Sequence, residues 1–146
     1  MARTGFYQLK NPHKYIGNDQ NIKYKSMWER NIMKWCDLEY VIKRWAYEKI
    51  IIPYKSPVDK KNHKYYPDFY IERSNEKGIE KFLLEVKPQN QVMNPAKKSK
   101  ATIYEMKTYA VNEAKWIAAL RFCKKRNLTF KIITEYNHPV LKRYKK

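Results

Sequence analysis

The feature that most constrains the fold of this 146-residue chain is a pair of strand-like segments joined by a short polar turn near its centre. Residues 65–71 and 79–87 are rich in aromatic, aliphatic and β-branched side chains, a composition that favours strands. The turn over residues 74–78 contains Asn, Lys and Gly, and Pro88 ends the second segment. These segments therefore predict a β-hairpin near the centre of the chain.

The residues before the hairpin predict a helix followed by strands. Ser26 and Glu29 form an S-x-x-E capping box, and apolar residues then recur at helical spacing, which indicates a helix over residues 26–40. Residues 41–54 contain two β-branched and aromatic runs, and they predict one or two strands. Residues 55–64 are predicted to form a basic loop.

The residues after the hairpin predict helices and a last strand. The apolar stripe of residues 102–126 changes phase at Asn112, a good helix N-cap residue, so we expect two consecutive helices there. Residues 128–134 alternate as a strand does. The expected fold is α/β, with a mixed sheet and flanking helices over a single core domain at residues 26–137.

The two ends of the chain carry most of its net charge of +18. Residues 1–25 hold five positive and one negative side chains, residues 26–90 hold thirteen and ten, and residues 91–146 hold fourteen and three. Such an excess is typical of proteins that bind polyanions, and nucleic acid is the first candidate. We expect an extended basic N-terminal arm at residues 1–25, packed by its aromatic side chains, and a basic C-terminal tail at residues 138–146.

Two further expectations concern the cellular setting. No apolar run approaches the roughly 20 residues that cross a bilayer, and no apolar signal core follows the N-terminus, so we expect an intracellular protein without a membrane partner. Cys36 and Cys123 each lie in a helix-like apolar stripe, which favours reduced core thiols over a disulfide.

The predicted hairpin carries the residues that point to chemistry. Pro67-Asp68 opens one strand, and Glu85-Val86-Lys87 ends the other. Strand alternation places Leu83, Glu85 and Lys87 on one face, which we expect to be the less buried one. Asp68 on the neighbouring strand can then bring its carboxylate beside Glu85.

Two adjacent carboxylates provide the hard oxygen ligands that Mg²⁺ prefers, with positions left for water and a phosphate oxygen. Lys87 can stabilise negative charge that develops on phosphorus. Glu29 is a third candidate carboxylate, because it lies on the side of its helix that faces the sheet. Its alternative role is the helix cap, and the two roles do not exclude each other.

The pattern P-D…E-x-K with an upstream helical Glu resembles the restriction-endonuclease-like superfamily, whose core order is αβββαβ and whose members cut DNA phosphodiesters with Mg²⁺. More narrowly, the chain resembles the head-completion nuclease family of large tailed phages. The similarity lies in Asn11-Pro12-His13-Lys14-Tyr15-Ile16-Gly17, Tyr24-Lys25-Ser26-Met27-Trp28-Glu29, Tyr66-Pro67-Asp68, Leu84-Glu85-Val86-Lys87-Pro88 and Tyr109-Ala110-Val111-Asn112-Glu113-Ala114-Lys115-Trp116.

The resemblance implies specific roles. Asp68 and Glu85 would be metal ligands, Lys87 the catalytic lysine and Glu29 an additional acidic site residue. The cofactor would be Mg²⁺, or Mn²⁺ in its place. Members of the family join the packaged head before the tail attaches, which implies head or neck proteins as partners and a location in the host cytoplasm during assembly and then in the virion.

Basic side chains near the second helical region are the candidate DNA contacts. None of them indicates a helix that reads bases, so we expect recognition of double-stranded ends or branched structures through phosphates, without sequence readout. The alternative for each is an ordinary solubilising surface. These residues are Lys97, Lys98, Lys100, Lys107, Lys115, Arg121, Lys124, Lys125 and Arg126.

The leading hypothesis is a Mg²⁺-dependent DNA endonuclease or DNA-end-trimming nuclease that acts in phage head completion. Two rivals remain open from the sequence. One is a non-catalytic structural protein of the virion that binds DNA ends, and the other is a resolvase of branched DNA junctions, which would need a stable dimer.

Overall fold

A computed structural model describes residues 3–97 and 100–138 of the chain. Within these ranges the strands are β1 (Gly5–Gln8), β2 (Asn21–Tyr24), β3 (Ile42–Tyr47), β4 (Ile52–Lys55), β5 (Asn62–Tyr65), β6 (Phe69–Asn75), β7 (Gly78–Val86) and β8 (Thr129–Ile133). The helices are α1 (Met27–Leu38), α2 (Gln89–Val92) and α3 (Ile103–Lys125), with 3-10 turns at Pro12–Lys14 and Pro95–Lys97.

The main sheet has the strand order β3-β6-β7-β8. Strand β6 pairs antiparallel with β3 and with β7, and β8 joins β7 in parallel after the crossover through α3. Elements α1, β3, β6, β7, α3 and β8 thus follow the order αβββαβ, and the predicted fold class and the central hairpin are confirmed. Strands β4 and β5 form a separate antiparallel hairpin between β3 and β6, where a basic loop was expected over residues 55–64.

Both faces of the main sheet are covered, which corrects one expectation. Phe82 and Leu84 of β7 pack in a core cluster with α1 and the arm, whereas Leu83 packs on the other face with Trp116 of α3. Leu83 is fully buried, and Glu85 on the same face is only 7% exposed. The face that carries Glu85 is therefore not the less buried one, because α3 and the β4-β5 hairpin cover it.

Helix α3 is one continuous helix of 23 residues, so the prediction of two helices was wrong. Thr102 and Glu105 form its capping box, and Asn112 lies buried inside it rather than at a new N-terminus. The apolar stripe changes phase because only the second half of the helix packs on the sheet, through Trp116 among others. Ile103 in the first half is 75% exposed.

The N-terminal arm contains a small antiparallel sheet, β1-β2, and belongs to the main core. Of its aromatic residues, Tyr7 and Tyr15 are buried as expected, but Phe6 is exposed because it lies on the outer face of β1. At the other end of the described chain, the ring of His138 packs edge-on against Trp35 at 4.7 Å. The predicted tail beyond it lies outside the described residues.

Asp37 near the end of α1 fixes the arm to the core. Its side chain is fully buried and accepts hydrogen bonds from the Tyr7 hydroxyl at 2.6 Å, the Lys10 amide at 2.9 Å and the Asn11 amide at 3.0 Å. The Lys14 ammonium donates to the Asp37 carbonyl at 2.9 Å. One buried carboxylate thus accepts hydrogen bonds from three donors of the arm, of which the Tyr7 hydroxyl is itself buried.

No helix among the described residues is both long and apolar enough to cross a membrane. Cys36 and Cys123 are buried as free thiols, one in each core cluster, in agreement with the expectation of core positions.

Replacing Asp37 with Ala should destabilise the protein strongly. Three donors lose their acceptor, so the free energy of unfolding should fall by about 3 kcal/mol and the melting temperature by about 10 °C. The matched control is Asp19→Ala, which removes an exposed carboxylate paired with Lys49 at 3.1 Å and should change the free energy by less than about 0.5 kcal/mol. Thermal unfolding followed by circular dichroism measures both, and equal melting temperatures for the two variants would contradict the prediction.

Candidate active site

Strand register places three carboxylates at the same end of strands β3, β6 and β7, a position called the carboxylate edge of the sheet. Tyr47 at the end of β3 lies opposite Phe69 at the start of β6, and Phe69 lies opposite Leu84 in β7. The residue after β3 is Glu48, the residue before β6 is Asp68, and the residue after Leu84 is Glu85. Antiparallel pairing therefore brings these three side chains to the same end of neighbouring strands.

Glu29 of α1 joins two of them to form a carboxylate cluster, defined here as Glu29, Glu48 and Asp68. One carboxylate oxygen from each residue lies within 4.8 Å of the others. Glu29 is buried, and its Oε1 accepts hydrogen bonds from the Tyr47 hydroxyl at 3.0 Å and from the Lys25 amide at 2.7 Å. The cluster thus joins the first turn of α1 to the ends of two strands.

Only half of the predicted capping box forms at the start of α1. The Ser26 hydroxyl accepts the Glu29 backbone N–H at 3.1 Å, as the predicted cap requires. The Glu29 side chain, however, accepts the amide of Lys25, one residue before the N-cap. The Glu29 backbone thus takes part in the cap, whereas its carboxylate faces the cluster.

Asp68 and Glu85 are adjacent at the strand ends. Asp68 Oδ2 accepts the backbone N–H of Val86, the residue after Glu85, at 2.7 Å. Glu85 is buried and accepts the Tyr65 hydroxyl at 2.6 Å, and its other oxygen lies 3.9 Å from the Lys87 ammonium. Glu85 is not a member of the carboxylate cluster, so the structure groups Glu48, rather than Glu85, with Asp68 and Glu29.

Burial and neighbouring negative charges raise the pKa of Asp68 and of Glu85. The pKa of Asp68 is well above its ordinary value, because the group is desolvated and lies beside the negative charges of Glu85 and Glu29. Burial also raises the pKa of Glu85, although the Tyr65 hydroxyl, Lys87 and Lys115 oppose that rise. A cation placed at this edge would favour the charged form of both groups.

The donor set fits a hard divalent cation. Carboxylate oxygens from separate elements, close enough to share one ion, are the ligands that Mg²⁺ and Mn²⁺ prefer. A positive charge already lies at the cluster, since the Lys25 ammonium is 2.9 Å from Glu48 Oε2. The Glu48 interaction is the main reason that the pKa of Lys25 is raised, and the charges of Glu29 and Asp68 add to it.

Glu48 is the site residue that the sequence analysis missed. Its backbone has φ 51°, in the left-handed region that side chains with a Cβ rarely adopt, and its N–H donates to the Asp68 carbonyl at 3.0 Å. Strain of this kind clusters at functional sites. The only signal in the sequence is an acidic residue directly after a strand, and its partner becomes visible only when the register of β3 against β6 is known.

Two of the predicted DNA contacts within α3, Lys107 and Lys115, lie at different distances from the carboxylates. Lys115 of α3 is half-buried above the rings of Tyr65 and Tyr54, at 5.7 Å and 6.0 Å, and is close enough to Glu85 to lower its pKa. Lys107 is exposed two turns earlier, about 12 Å away along the helix axis. Lys115 is therefore the one of this pair that approaches the carboxylates.

The remaining candidate contacts among the described residues are surface cations. Arg126 also packs its guanidinium 3.7 Å from the centre of the Phe122 ring and donates to the Phe122 carbonyl, so it caps α3. Lys98 lies outside the described residues. The exposed members of the set are Lys97, Lys100, Lys107, Arg121, Lys124, Lys125 and Arg126.

Comparison with known proteins places this geometry in a class. Residues 39–135 match the family described as TnsA-like endonuclease N terminal, so the chain belongs to the TnsA-like endonucleases, which have a restriction-endonuclease-like fold. The matched segment contains Glu48, Asp68, Glu85 and Lys87, whereas Glu29 precedes it.

A particular relative extends the similarity to the arm and α1. The head completion nuclease of Enterobacteria phage T4 is 34% identical over 142 residues, which cover 92% of this chain and 93% of that protein. The resemblance expected from the sequence motifs is thereby confirmed.

Replacing Glu48 with Gly should stabilise the protein in the absence of divalent metal. Glycine adopts φ 51° without strain, and the change removes one of three neighbouring negative charges. We expect a gain of about 1 kcal/mol, or about 3 °C in melting temperature. Glu39→Gly, at an extended backbone position at the end of α1, is the control and should lower the melting temperature instead. A lower melting temperature for Glu48→Gly would contradict the prediction.

The stability of the metal-free protein should depend on the charge of Asp68. Because its pKa is raised in the folded state, the folded protein binds more protons than the unfolded chain above the ordinary pKa of 3.8, and stability falls as pH rises through the folded-state pKa. The neutral variant Asp68→Asn should therefore melt at a higher temperature than the parent at pH 8, and the difference should shrink as the pH falls towards about 4. Thermal melts in chelator across this range test it, and a pH-independent difference would contradict it.

Proposed function

We propose that the chain is a divalent-metal-dependent deoxyribonuclease that hydrolyses DNA phosphodiesters during phage head completion. The observation that carries the proposal is the position of Asp68, which lies beside Glu85 of the neighbouring strand β7 and shares a cluster with Glu29 and Glu48. Lys87 lies beside the same edge. Carboxylates and a lysine in this arrangement are suited to phosphodiester hydrolysis.

The proposed metal ligands are Asp68, Glu85 and Glu29, with Mg²⁺ as the ion and Mn²⁺ as a substitute. When bound, a divalent ion supplies Lewis-acid polarisation of the phosphodiester and activates a water molecule for attack. The buried Tyr65 hydroxyl orients Glu85, and the Val86 amide orients Asp68. Both carboxylates are thus held in place before substrate arrives.

The proposed role of Lys87 is electrostatic. Its half-buried ammonium lies 3.9 Å from Glu85, so it can stabilise negative charge that builds on phosphorus in the transition state. Lys115 approaches from α3 over Tyr54 and Tyr65, and its charge also acts on Glu85. We propose that Lys115 contacts a phosphate next to the one that is cut.

The proposed substrate is DNA held through its backbone. Exposed cations on α3 and on the loop before it supply phosphate contacts, and none lies on a helix that is shaped for base reading. Ends or branched structures therefore suit the protein better than a specific sequence. Binding should weaken steeply with salt, as neutralisation of phosphates requires.

The similarity to a phage protein supports a proposal for the biological setting. The T4 protein is named a head completion nuclease, and its similarity covers nearly the full length of both chains. We propose the same step for this chain, with head or neck proteins as partners, in the host cytoplasm during assembly and then in the virion. We further propose that residues 26–137 form the nuclease core and that the arm and the basic tail contribute DNA or virion contacts.

Purified protein should cleave linear, branched or supercoiled DNA in Mg²⁺ or Mn²⁺, and chelation should abolish cleavage. Asp68→Asn and Glu85→Gln should reduce the rate to background, and Lys87→Met should lower it by about 10²–10³-fold. Gel assays of initial rates measure this. Absence of cleavage above the Asp68→Asn background on every substrate would contradict the proposal.

Matched controls lie on the same strand. Glu80→Gln and Lys81→Met make the same charge changes at the far end of β7, where both side chains are exposed, and these variants should cleave DNA as fast as the parent.

The two rival functions predict other outcomes. Infectious particles assembled with Asp68→Asn and Glu85→Gln would favour the structural DNA-end-binding role. A stable dimer in light scattering, together with paired cuts in four-way junctions, would favour the resolvase.

A further inference from the structure

Lys25 of the N-terminal arm forms an ion pair and a hydrogen bond with the carboxylate cluster. Its ammonium lies 2.9 Å from Glu48 Oε2, and its backbone N–H donates to Glu29 Oε1 at 2.7 Å. Lys25 follows the last residue of β2, so the arm touches two of the three cluster members. It also lies outside the segment that matches the endonuclease family.

Glu48 is held so that it faces the cluster. Its left-handed backbone is fixed by the hydrogen bond from its N–H to the Asp68 carbonyl at 3.0 Å. The side chain is half-buried, and its carboxylate lies close enough to those of Glu29 and Asp68 to share an ion with them. The ammonium of Lys25, 2.9 Å from Glu48 Oε2, offsets part of the repulsion among these acids.

We propose that Glu48 is a ligand of the divalent metal centre and that Lys25 is its resident counter-cation, displaced from Glu48 when the metal binds. This inference rests on the metal dependence in the proposed function. The ammonium and the metal compete for the same carboxylate, so each weakens the binding of the other. Metal binding is thereby coupled to the contact between the arm and the cluster.

The chain offers a matched control for the Lys25 charge. Lys49 is also an exposed lysine paired with an acid, Asp19 at 3.1 Å, and it follows Glu48 directly in sequence. Both lysines line one groove of about 450 Å³ beside Tyr47. The ion pair of Lys25 is with a member of the cluster, Glu48, whereas that of Lys49 is with Asp19, outside the cluster.

The experiment measures Mn²⁺ binding to the full chain without DNA, by titration calorimetry and electron paramagnetic resonance. Lys25→Met should bind Mn²⁺ about fivefold more tightly than Lys49→Met, because a competing cation has been removed from the ligand itself. Glu48→Gln should bind it about tenfold more weakly than the parent. In the Glu48→Gln background, Lys25→Met should increase the Mn²⁺ affinity no more than Lys49→Met does.

A second readout follows the ammonium directly. In ¹⁵N-labelled protein, the side-chain resonance of Lys25 should shift when Mg²⁺ is added, whereas that of Lys49 should not. Equal shifts for both lysines would overturn the displacement step. This measurement uses the unmodified chain, so it does not depend on the folding of a variant.

The outcomes separate this inference from the proposed function. If the parent binds Mn²⁺, Asp68→Asn abolishes binding and Glu48→Gln binds like the parent, the inference fails while the metal-dependent nuclease stands. If the parent binds no Mn²⁺ and cleaves DNA in chelator, the metal dependence itself fails. The inference would also fail if Lys25→Met increased the Mn²⁺ affinity as much in the Glu48→Gln background as it does in the parent.

Discussion

The antiparallel pairing of β6 with both of its neighbours is the constraint on which the site depends. Because β3 runs against β6, and β6 against β7, the end of β3, the start of β6 and the end of β7 coincide at one edge. Each of these strand ends carries an acid, Glu48, Asp68 or Glu85. The gathering of negative charge is thus a consequence of topology, and α1 adds Glu29 from outside the sheet.

Burial of this edge makes the acids sensitive to any positive charge nearby. Helix α3 covers the face that carries Glu85, and α1 and the arm cover the other face. Three features offset the repulsion: the raised pKa of Asp68, a tyrosine hydroxyl that donates to Glu85, and lysines beside the acids, Lys25 next to Glu48 and Lys87 next to Glu85. Lys115 of α3 approaches Glu85 from the face of the sheet that α3 covers. Acids that repel one another in the free protein are the ones that a divalent cation stabilises most.

Local sequence signals predicted the parts of the site that depend on local structure. The turn at residues 74–78 sets the pairing that brings Asp68 beside Glu85, and helical spacing places Glu29 on the inner side of α1. Glu48 could not be predicted in this way, because the β4-β5 hairpin separates it from Asp68 in the chain and only the sheet register brings them together. The continuity of α3 was not predicted for a related reason. The sequence shows which residues are apolar, but it does not show which of them pack against the sheet.

Helix α1 contacts the N-terminal arm at one end and the carboxylate cluster at the other. Its C-terminal end holds the arm through Asp37, and its N-terminal end carries Glu29 into the carboxylate cluster. Its 12 residues form a rod about 18 Å long, stiff along its axis. One rigid element thus fixes both the position of the arm and the position of one acid in the carboxylate cluster.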